Sequence, residues 1–358
     1  MRALRFHQAR ELSVEKVPEP GPPGPGEVLL RPVMCGICGT DLHEYTDGPI
    51  VTPARPHPLT GAELPQIMGH EFSAVVVGAG DGVAHVREGD LCTVMPLISC
   101  GRCPECLVGR NHLCRTMACT GLSSAWGGLA ELAIVSAGQV VPVAESVTPQ
   151  QAALIEPAAV AAYGVDRGRL QPGQTVLITG AGPIGSLAAM YALAGGARRV
   201  IVSEPDPVRR QRAAGLGVGL GEVVTADPAA GPVTELIADL TGGLGADLAV
   251  ECAGHESALN LCLDAVRPAG TVVQTALHIR PAAIRAETLA LKDLSLIGTW
   301  CYPVQDFPRI VGLVASGRLP AERVISSVVP LESAVSGGFE PLVTRGSGEV
   351  KVLIEVAA

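Results

Sequence analysis

A chain of 358 residues is longer than one hydrophobic core usually supports, so two domains are expected. Hydrophobic residues make up 47% of it and charged residues only 17%, which fits a compact fold and leaves little room for disorder. The net charge of -9 argues against nucleic acid as a partner, because phosphate backbones are gripped by clustered Lys and Arg; a small-molecule partner fits better.

The opening residues Met1-Arg2-Ala3-Leu4-Arg5 lack the apolar core of a signal peptide and read as the start of a strand, so secretion is not expected. Eleven cysteines, an odd number with four close together, suit metal binding in a reducing cytoplasm better than a disulfide framework. Residues 18–26 hold only Pro, Gly and one Glu and form a stiff surface loop before the strand-like Val28-Leu29-Leu30. From there to about Pro142, short β-rich runs such as 72–77 and 129–135 are separated by Gly and Pro, which predicts a β-barrel-like domain whose loops carry the Cys and His clusters.

Beyond Glu156 the texture changes. Strands over 175–179 and 200–203 alternate with Ala-rich helical stretches over 184–194 and 208–214, and further strands are expected at 248–251, 271–275 and 294–298. This alternation predicts an α/β unit, a doubly wound parallel sheet with crossover helices. The uncharged run 176–197 is long enough to span a bilayer, but Gly180, Gly182, Pro183 and Gly185 break it, so it reads as strand, turn and helix rather than a membrane segment. The final β runs, 324–330 and 350–356, are expected to rejoin the first domain.

Gly180-Ala181-Gly182-Pro183-Ile184-Gly185 follows a strand and opens a helix, the context that a dinucleotide fingerprint requires. Gly180 permits the tight turn, Gly182 lets the backbone approach a pyrophosphate, and Gly185 lets the helix sit close to the sheet. At the end of the next strand Glu204 can accept hydrogen bonds from the adenosine ribose and would repel a 2'-phosphate, whereas Arg209 and Arg210 could grip one. NAD is therefore expected over NADP.

Cys100, Cys103, Cys106 and Cys114 are spaced so that four thiolates can wrap one ion tetrahedrally, a closed site that fixes the 97–115 loop and leaves no position for substrate. Iron–sulfur ligation is the alternative. A dispersed set, Cys38 in Cys35-Gly36-Ile37-Cys38-Gly39-Thr40-Asp41-Leu42-His43, then Gly69-His70-Glu71, then Leu154-Ile155-Glu156-Pro157, cannot be assembled from spacing; singly, each residue also reads as a core thiol, a hydrogen-bonded histidine or a helix-start acid.

Taken in order with the four-cysteine lobe and the fingerprint, these segments resemble the zinc-containing medium-chain dehydrogenases over essentially the whole chain. Within that family Asp41-Leu42-His43-Glu44-Tyr45, Asp47-Gly48-Pro49-Ile50, His57-Pro58-Leu59-Thr60-Gly61 and Ile297-Gly298-Thr299-Trp300-Cys301-Tyr302 most resemble the (R,R)-2,3-butanediol dehydrogenases, with sorbitol dehydrogenases next. The resemblance implies a GroES-like β-barrel-type catalytic domain over 1–156 and 301–358, with the zinc lobe at about 97–115, and a Rossmann NAD-binding domain over 157–300.

It further implies two Zn2+ per chain, the catalytic one held by Cys38, His70 and a carboxylate. Glu156 is favoured as ligand or water-holder and Glu71 as an alternating one, and Asp41 accepts a hydrogen bond from the far nitrogen of His70. Thr40 takes the substrate proton and His43 releases it to solvent. Gly180, Gly182, Pro183, Ile184, Gly185, Glu204 and Arg209 hold the coenzyme. The expected reaction converts a vicinal diol to a hydroxyketone or the reverse, in a cytoplasmic homodimer or homotetramer. Two other readings are a zinc-ribbon binding module, disfavoured by the acidic balance, and a zinc-free quinone or enone reductase, whose kind lacks the Cys38, His70 and Glu156 set. The Gly-rich 215–221 stretch departs from the shorter turn usual in the family.

Overall fold

The computed structural model describes residues 1–357. One unit comprises Met1–Glu156, Pro303–Ser316 and Ile325–Ala358; the other comprises Pro157–Tyr302 and Gly317–Val324.

The first unit is organised around the strand Glu27–Gly36, which pairs antiparallel with Glu71–Ala79, Ala133–Ser136 and Lys351–Glu355. Leu91–Val94 and Val140–Pro142 extend the sheet on one side, and Ile325–Pro330 lies parallel to Lys351–Glu355 on the other. A second sheet orders Glu11–Lys16, Arg2–Gln8 and Gln66–Ile67. Phe6, Leu30, Phe72, Leu129, Phe339 and Ile354 fill the core between these strands. Each such side chain contributes about 1.5–3 kcal/mol by leaving water.

The strand expected over 129–135 is shorter, Ala133–Ser136. Leu129 is buried, but its backbone serves two other segments: its N–H donates to Met68 O (3.0 Å) and its carbonyl accepts from Leu4 N–H (2.8 Å). Just before it, a Cβ on Gly127 would meet Met68 O at 2.4 Å and one on Gly128 would meet the Phe72 ring at 2.5 Å. The apolar run is thus an inward-folded loop, which hydrophobicity alone does not distinguish from a strand.

In the second unit six parallel strands run in the order Glu222–Ala226, Arg199–Ser203, Thr175–Thr179, Ala246–Glu251, Val266–Gln274 and Ser295–Gly298. Helices Pro183–Ala194 and Pro207–Ala214 begin one residue before the predicted spans because a proline, whose missing N–H costs nothing there, takes the first helical position of each. The strand expected at 271–275 starts earlier, at Val266, and runs to Gln274 with a register shift opposite Ala246 and Leu248. Helices Gly39–Asp47, Ile155–Arg167, Val233–Thr241 and Glu256–Ala265 were not predicted. Among the described residues no helix is long and apolar enough to cross a membrane, and the 176–197 run forms strand, turn and helix as expected.

The Gly-rich 215–221 stretch is a series of tight turns. A Cβ on Gly217 would meet Gly221 O at 2.4 Å, and the Arg323 guanidinium donates to the carbonyls of Leu216 (3.1 Å) and Val218 (2.6 Å). The extra glycines let the carbonyls turn toward this arginine.

The last strand carries a lysine into the interior of the first unit. Lys351 is 1% exposed, donates to Ile37 O at 2.9 Å and forms an ion pair with the Glu71 carboxylate. A Cβ on Gly36 would meet Glu71 Oε2 at 2.3 Å and Lys351 Cε at 2.9 Å, so the pair meets in the space that Gly36 leaves in the central strand. Removing one partner of such a pair strands a buried charge. Lys351→Met is expected to lower unfolding free energy by about 3–5 kcal/mol in chemical denaturation, with much of the loss recovered on adding Glu71→Gln; a loss under about 1 kcal/mol would show that the pair is solvated.

Candidate active site

Cys38 is the N-cap of helix Gly39–Asp47, and its backbone N–H donates to Asp41 Oδ2 at 2.9 Å. The other oxygen of that carboxylate, Oδ1, lies 3.4 Å from His70 Nδ1; both atoms are buried and the approach falls short of a hydrogen bond. Asp41 therefore faces His70 without the hydrogen bond that the resemblance implies, and its other oxygen fixes the backbone of Cys38. His70 sits between Gly69, at φ +98, and the first residue of strand Glu71–Ala79. A side chain at 69 would collide with Cys35 Sγ at 2.7 Å and the Leu129 backbone at 2.8 Å.

These elements bring together one sulfur, one imidazole nitrogen and one carboxylate oxygen, from Cys38, His70 and Glu71, all within 4.8 Å of one another. Such a donor set suits zinc. The electrostatics agree. Burial, reinforced by Glu71, pushes the Cys38 thiol above its ordinary pKa. Burial by itself would depress His70, but the Asp41 carboxylate and Cys38 more than reverse this and hold it well above the usual value. A cation among these atoms removes both problems, letting Cys38 ionise and His70 present a lone pair.

Glu156 stands outside that group, buried in the first turn of helix Ile155–Arg167. Its charge reaches the neighbouring Cys119, whose thiol is pushed up to about 12, first by burial and then by Glu156, Asp41 and Cys38 against His70. Thr40 Oγ1 lies 3.8 Å from Cys38 Sγ. His43, one turn further along the helix, is half-buried, and burial lowers its pKa against the opposing pull of Asp47 and Glu44. Tyr45 is a core residue, 3% exposed, with its hydroxyl on Glu340, its ring edge on Phe339 at 5.6 Å and the Arg10 guanidinium 4.9 Å above it.

Sequence reasoning missed Lys351 and Cys119. The signal for Lys351 is the lone charge inside the apolar run Val350-Lys351-Val352-Leu353-Ile354, whose last four residues lie in strand Lys351–Glu355 and are buried on both faces. No comparable signal marks Cys119.

The second cysteine group forms as the spacing predicts: the sulfurs of Cys100, Cys103, Cys106 and Cys114 lie within 4.8 Å of one another. Backbone N–H groups point at them. That of Arg102 lowers the Cys100 thiol to about 6, and those of Arg115 and Cys106 lower Cys103, whereas burial raises Cys106 to about 11. Four sulfurs with oriented N–H donors match a structural ion site whose four positions are all filled by protein.

In the other unit Gly180 takes φ +88 and its N–H donates to Ser203 O at 2.8 Å, closing the turn between adjacent strand ends. Gly182 caps helix Pro183–Ala194, with Pro183 and Ile184 as its first residues; a Cβ on Gly185 would strike Gly180 O at 1.9 Å. Gly180 and Gly185 are thus required by the local backbone, whereas a Cβ on Gly182 would meet nothing within 4 Å, which leaves open space at the helix N-terminus. Glu204 is 6% exposed and bonds locally, Oε2 accepting from Ala181 N–H (2.7 Å) and Oε1 from Asp206 N–H (2.9 Å). Arg209 lies in the first turn of helix Pro207–Ala214. Arg210 is committed elsewhere, to the carbonyls of Glu204 (2.8 Å) and Pro205 (2.9 Å) and to Asp227 (3.1 Å).

Comparison with known proteins identifies the family. Residues 24–145 match the alcohol dehydrogenase GroES-like domain and residues 183–316 the zinc-binding dehydrogenase domain. The chain is 35% identical to an (R,R)-butanediol dehydrogenase of Neisseria gonorrhoeae, with 99% of each chain covered. The crystal structure of 2R,3R-butanediol dehydrogenase from Bacillus subtilis superimposes with a TM-score of 0.92 at 32% identity, covering 99% of each chain. A Sinorhizobium meliloti protein described as a zinc-binding dehydrogenase and solved with NADP bound gives 0.88 at 33%, again covering 99% of each. The chain belongs to the zinc-containing medium-chain alcohol dehydrogenase family, an oxidoreductase of CH-OH groups with a GroES-like domain, a Rossmann domain and a nicotinamide coenzyme.

Proposed function

We propose that this protein is an NAD-linked 2,3-butanediol dehydrogenase that interconverts the vicinal diol and acetoin, with two zinc ions per chain. The Cys38, His70 and Glu71 group carries the chemistry, and the butanediol dehydrogenases it resembles carry the substrate class. Residues 1–156, 303–316 and 325–358 act as the catalytic domain and 157–302 with 317–324 as the coenzyme domain, in place of the expected 1–156 and 301–358 against 157–300. Two-fold or four-fold self-association in the cytoplasm belongs to the same reading.

Cys38, His70 and a carboxylate hold the catalytic ion, and Cys100, Cys103, Cys106 and Cys114 the structural one. Bound zinc would supply Lewis acidity toward a hydroxyl, an effect of roughly eight to nine pKa units on water, and the nicotinamide would supply the hydride acceptor. Glu71, in the donor group, serves as third ligand, and Glu156 as the alternate carboxylate or the holder of a water. Asp41 keeps the His70 ring oriented and Cys38 in register. Thr40 removes the substrate proton and His43 passes it outward. Because burial lowers its pKa, His43 stays neutral and able to accept to a lower pH than an ordinary histidine. Gly180, Gly182, Pro183, Ile184 and Gly185 cradle the pyrophosphate, Glu204 meets the ribose, and Arg209 flanks it. A polyol dehydrogenase acting on sorbitol is the second reading, supported by 30% identity to a sorbitol dehydrogenase of Bacillus subtilis.

NADH formation from separate 2,3-butanediol stereoisomers and from sorbitol tests the substrate: chelator-sensitive oxidation selective for an (R)-configured carbinol is expected, and a preference for sorbitol would install the second reading. Cys38→Ser is expected to lower bound zinc from two ions to one by elemental analysis and to abolish turnover; retained activity removes Cys38 as a ligand. His43→Ala should lose activity most at low pH, where solvent is a poor base, by about 10–100-fold. A pH profile matching wild type removes His43 from the relay.

A further inference from the structure

The glycine turn accounts for coenzyme binding, but the arginine pair after Glu204 has one member engaged in a way that coenzyme binding does not require. Arg210 Nη1 donates to the carbonyls of Glu204 and Pro205 at 2.8 and 2.9 Å, while Nη2 meets Asp227 Oδ2 at 3.1 Å. Asp227 is itself fixed, its Oδ1 accepting from Ala229 N–H at 2.9 Å. It directly follows strand Glu222–Ala226, whose last carbonyl accepts from Glu204 N–H at 3.0 Å, so Glu204 and Asp227 stand side by side at the ends of adjacent parallel strands. Both partners are about three-quarters covered, with side-chain exposures of 22% and 25%.

We propose that Arg210 and Asp227 form a clamp that sets coenzyme choice. Asp227 holds the guanidinium against the Glu204–Pro205 carbonyls, which fixes the turn carrying the Glu204 carboxylate and withholds from a 2'-phosphate the group best shaped to bind it. Arg210 is a positioning residue that acts through Glu204, and Asp227 keeps it in place. The clamp rests on the reading that Glu204 meets the adenosine ribose of NAD. It also explains why a chain with two consecutive arginines beyond its ribose acid can still favour NAD: only Arg209 lies outside the clamp.

The test compares kcat/KM with NAD and with NADP for wild type, Asp227→Asn, Arg210→Leu and the double variant, with Tm recorded for each. Asp227→Asn is expected to raise the NADP-to-NAD ratio about tenfold, the scale of one charge-assisted hydrogen bond to phosphate. In the Arg210→Leu background the same Asp227 change should move the ratio less than about twofold, because the cycle isolates the term that runs through the arginine. Arg210→Leu alone should raise KM for NAD more than it lowers kcat. The clamp is overturned if Asp227→Asn leaves the ratio unchanged, or if the gain persists without Arg210, which would mean simple relief of charge repulsion. A fall in Tm with no change in the ratio also overturns it. The underlying NAD reading fails separately, if wild type prefers NADP and Glu204→Ser changes nothing; the clamp is still scored on the shift relative to wild type.

Discussion

The Glu71 carboxylate, buried against Lys351 in the space left by Gly36, is the constraint on which the first unit depends. It ties three strands together: Gly36 ends the central strand, Glu71 begins its neighbour and Lys351 opens the last strand of the chain. An unpaired carboxylate at that depth would be strongly destabilising, so the sheet is electrostatically complete only once the C-terminal strand has paired with Glu27–Gly36. That strand is separated from Glu71 by 280 residues. The chemistry-bearing residues near Cys38 therefore rest on an ion pair whose second half is supplied at the far end of the sequence.

Carboxylates play a similar organising part in both units, in each case by satisfying N–H groups at the point where a strand or helix ends. Asp41 holds the Cys38 N–H, and Glu204 holds those of Ala181 and Asp206. Glu251, fully buried at the end of a central strand, accepts from Ala253 and Gly254 N–H at 2.8 Å and faces His278 at 3.1 Å. Each substitutes for the strand or helix partner that the backbone lacks at that point.

Legibility in the sequence followed the range of the interaction. The glycine turn and the four-cysteine lobe were readable because each is local: strand, turn, helix and acid lie within 30 residues, and the four thiols within 15. The alternation of strands and Ala-rich helices located the parallel sheet for the same reason. The Cys38, His70 and Glu71 group was invisible to spacing and entered only by resemblance, and Lys351 entered by neither route. Leu129 shows the limit from the other side, since its hydrophobicity was read correctly but its backbone pairs with the distant segments at Leu4 and Met68. The 215–221 stretch is likewise held at long range, by Arg323, more than 100 residues on, which takes up its carbonyls.

Charge balance connects these observations to the proposed chemistry. Cys38, Asp41, Glu71 and Glu156 bring four potential negative charges to one neighbourhood, of which Lys351 offsets one directly. On the proposed assignment a dication faces the Cys38 thiolate and one carboxylate, which is formally neutral and can still accept an anionic substrate oxygen. Lys351, paired with Glu71, places one further positive charge beside that centre, which favours an anionic substrate oxygen there. The lysine that completes the sheet thus also adds to the positive field around Cys38, His70 and their carboxylate.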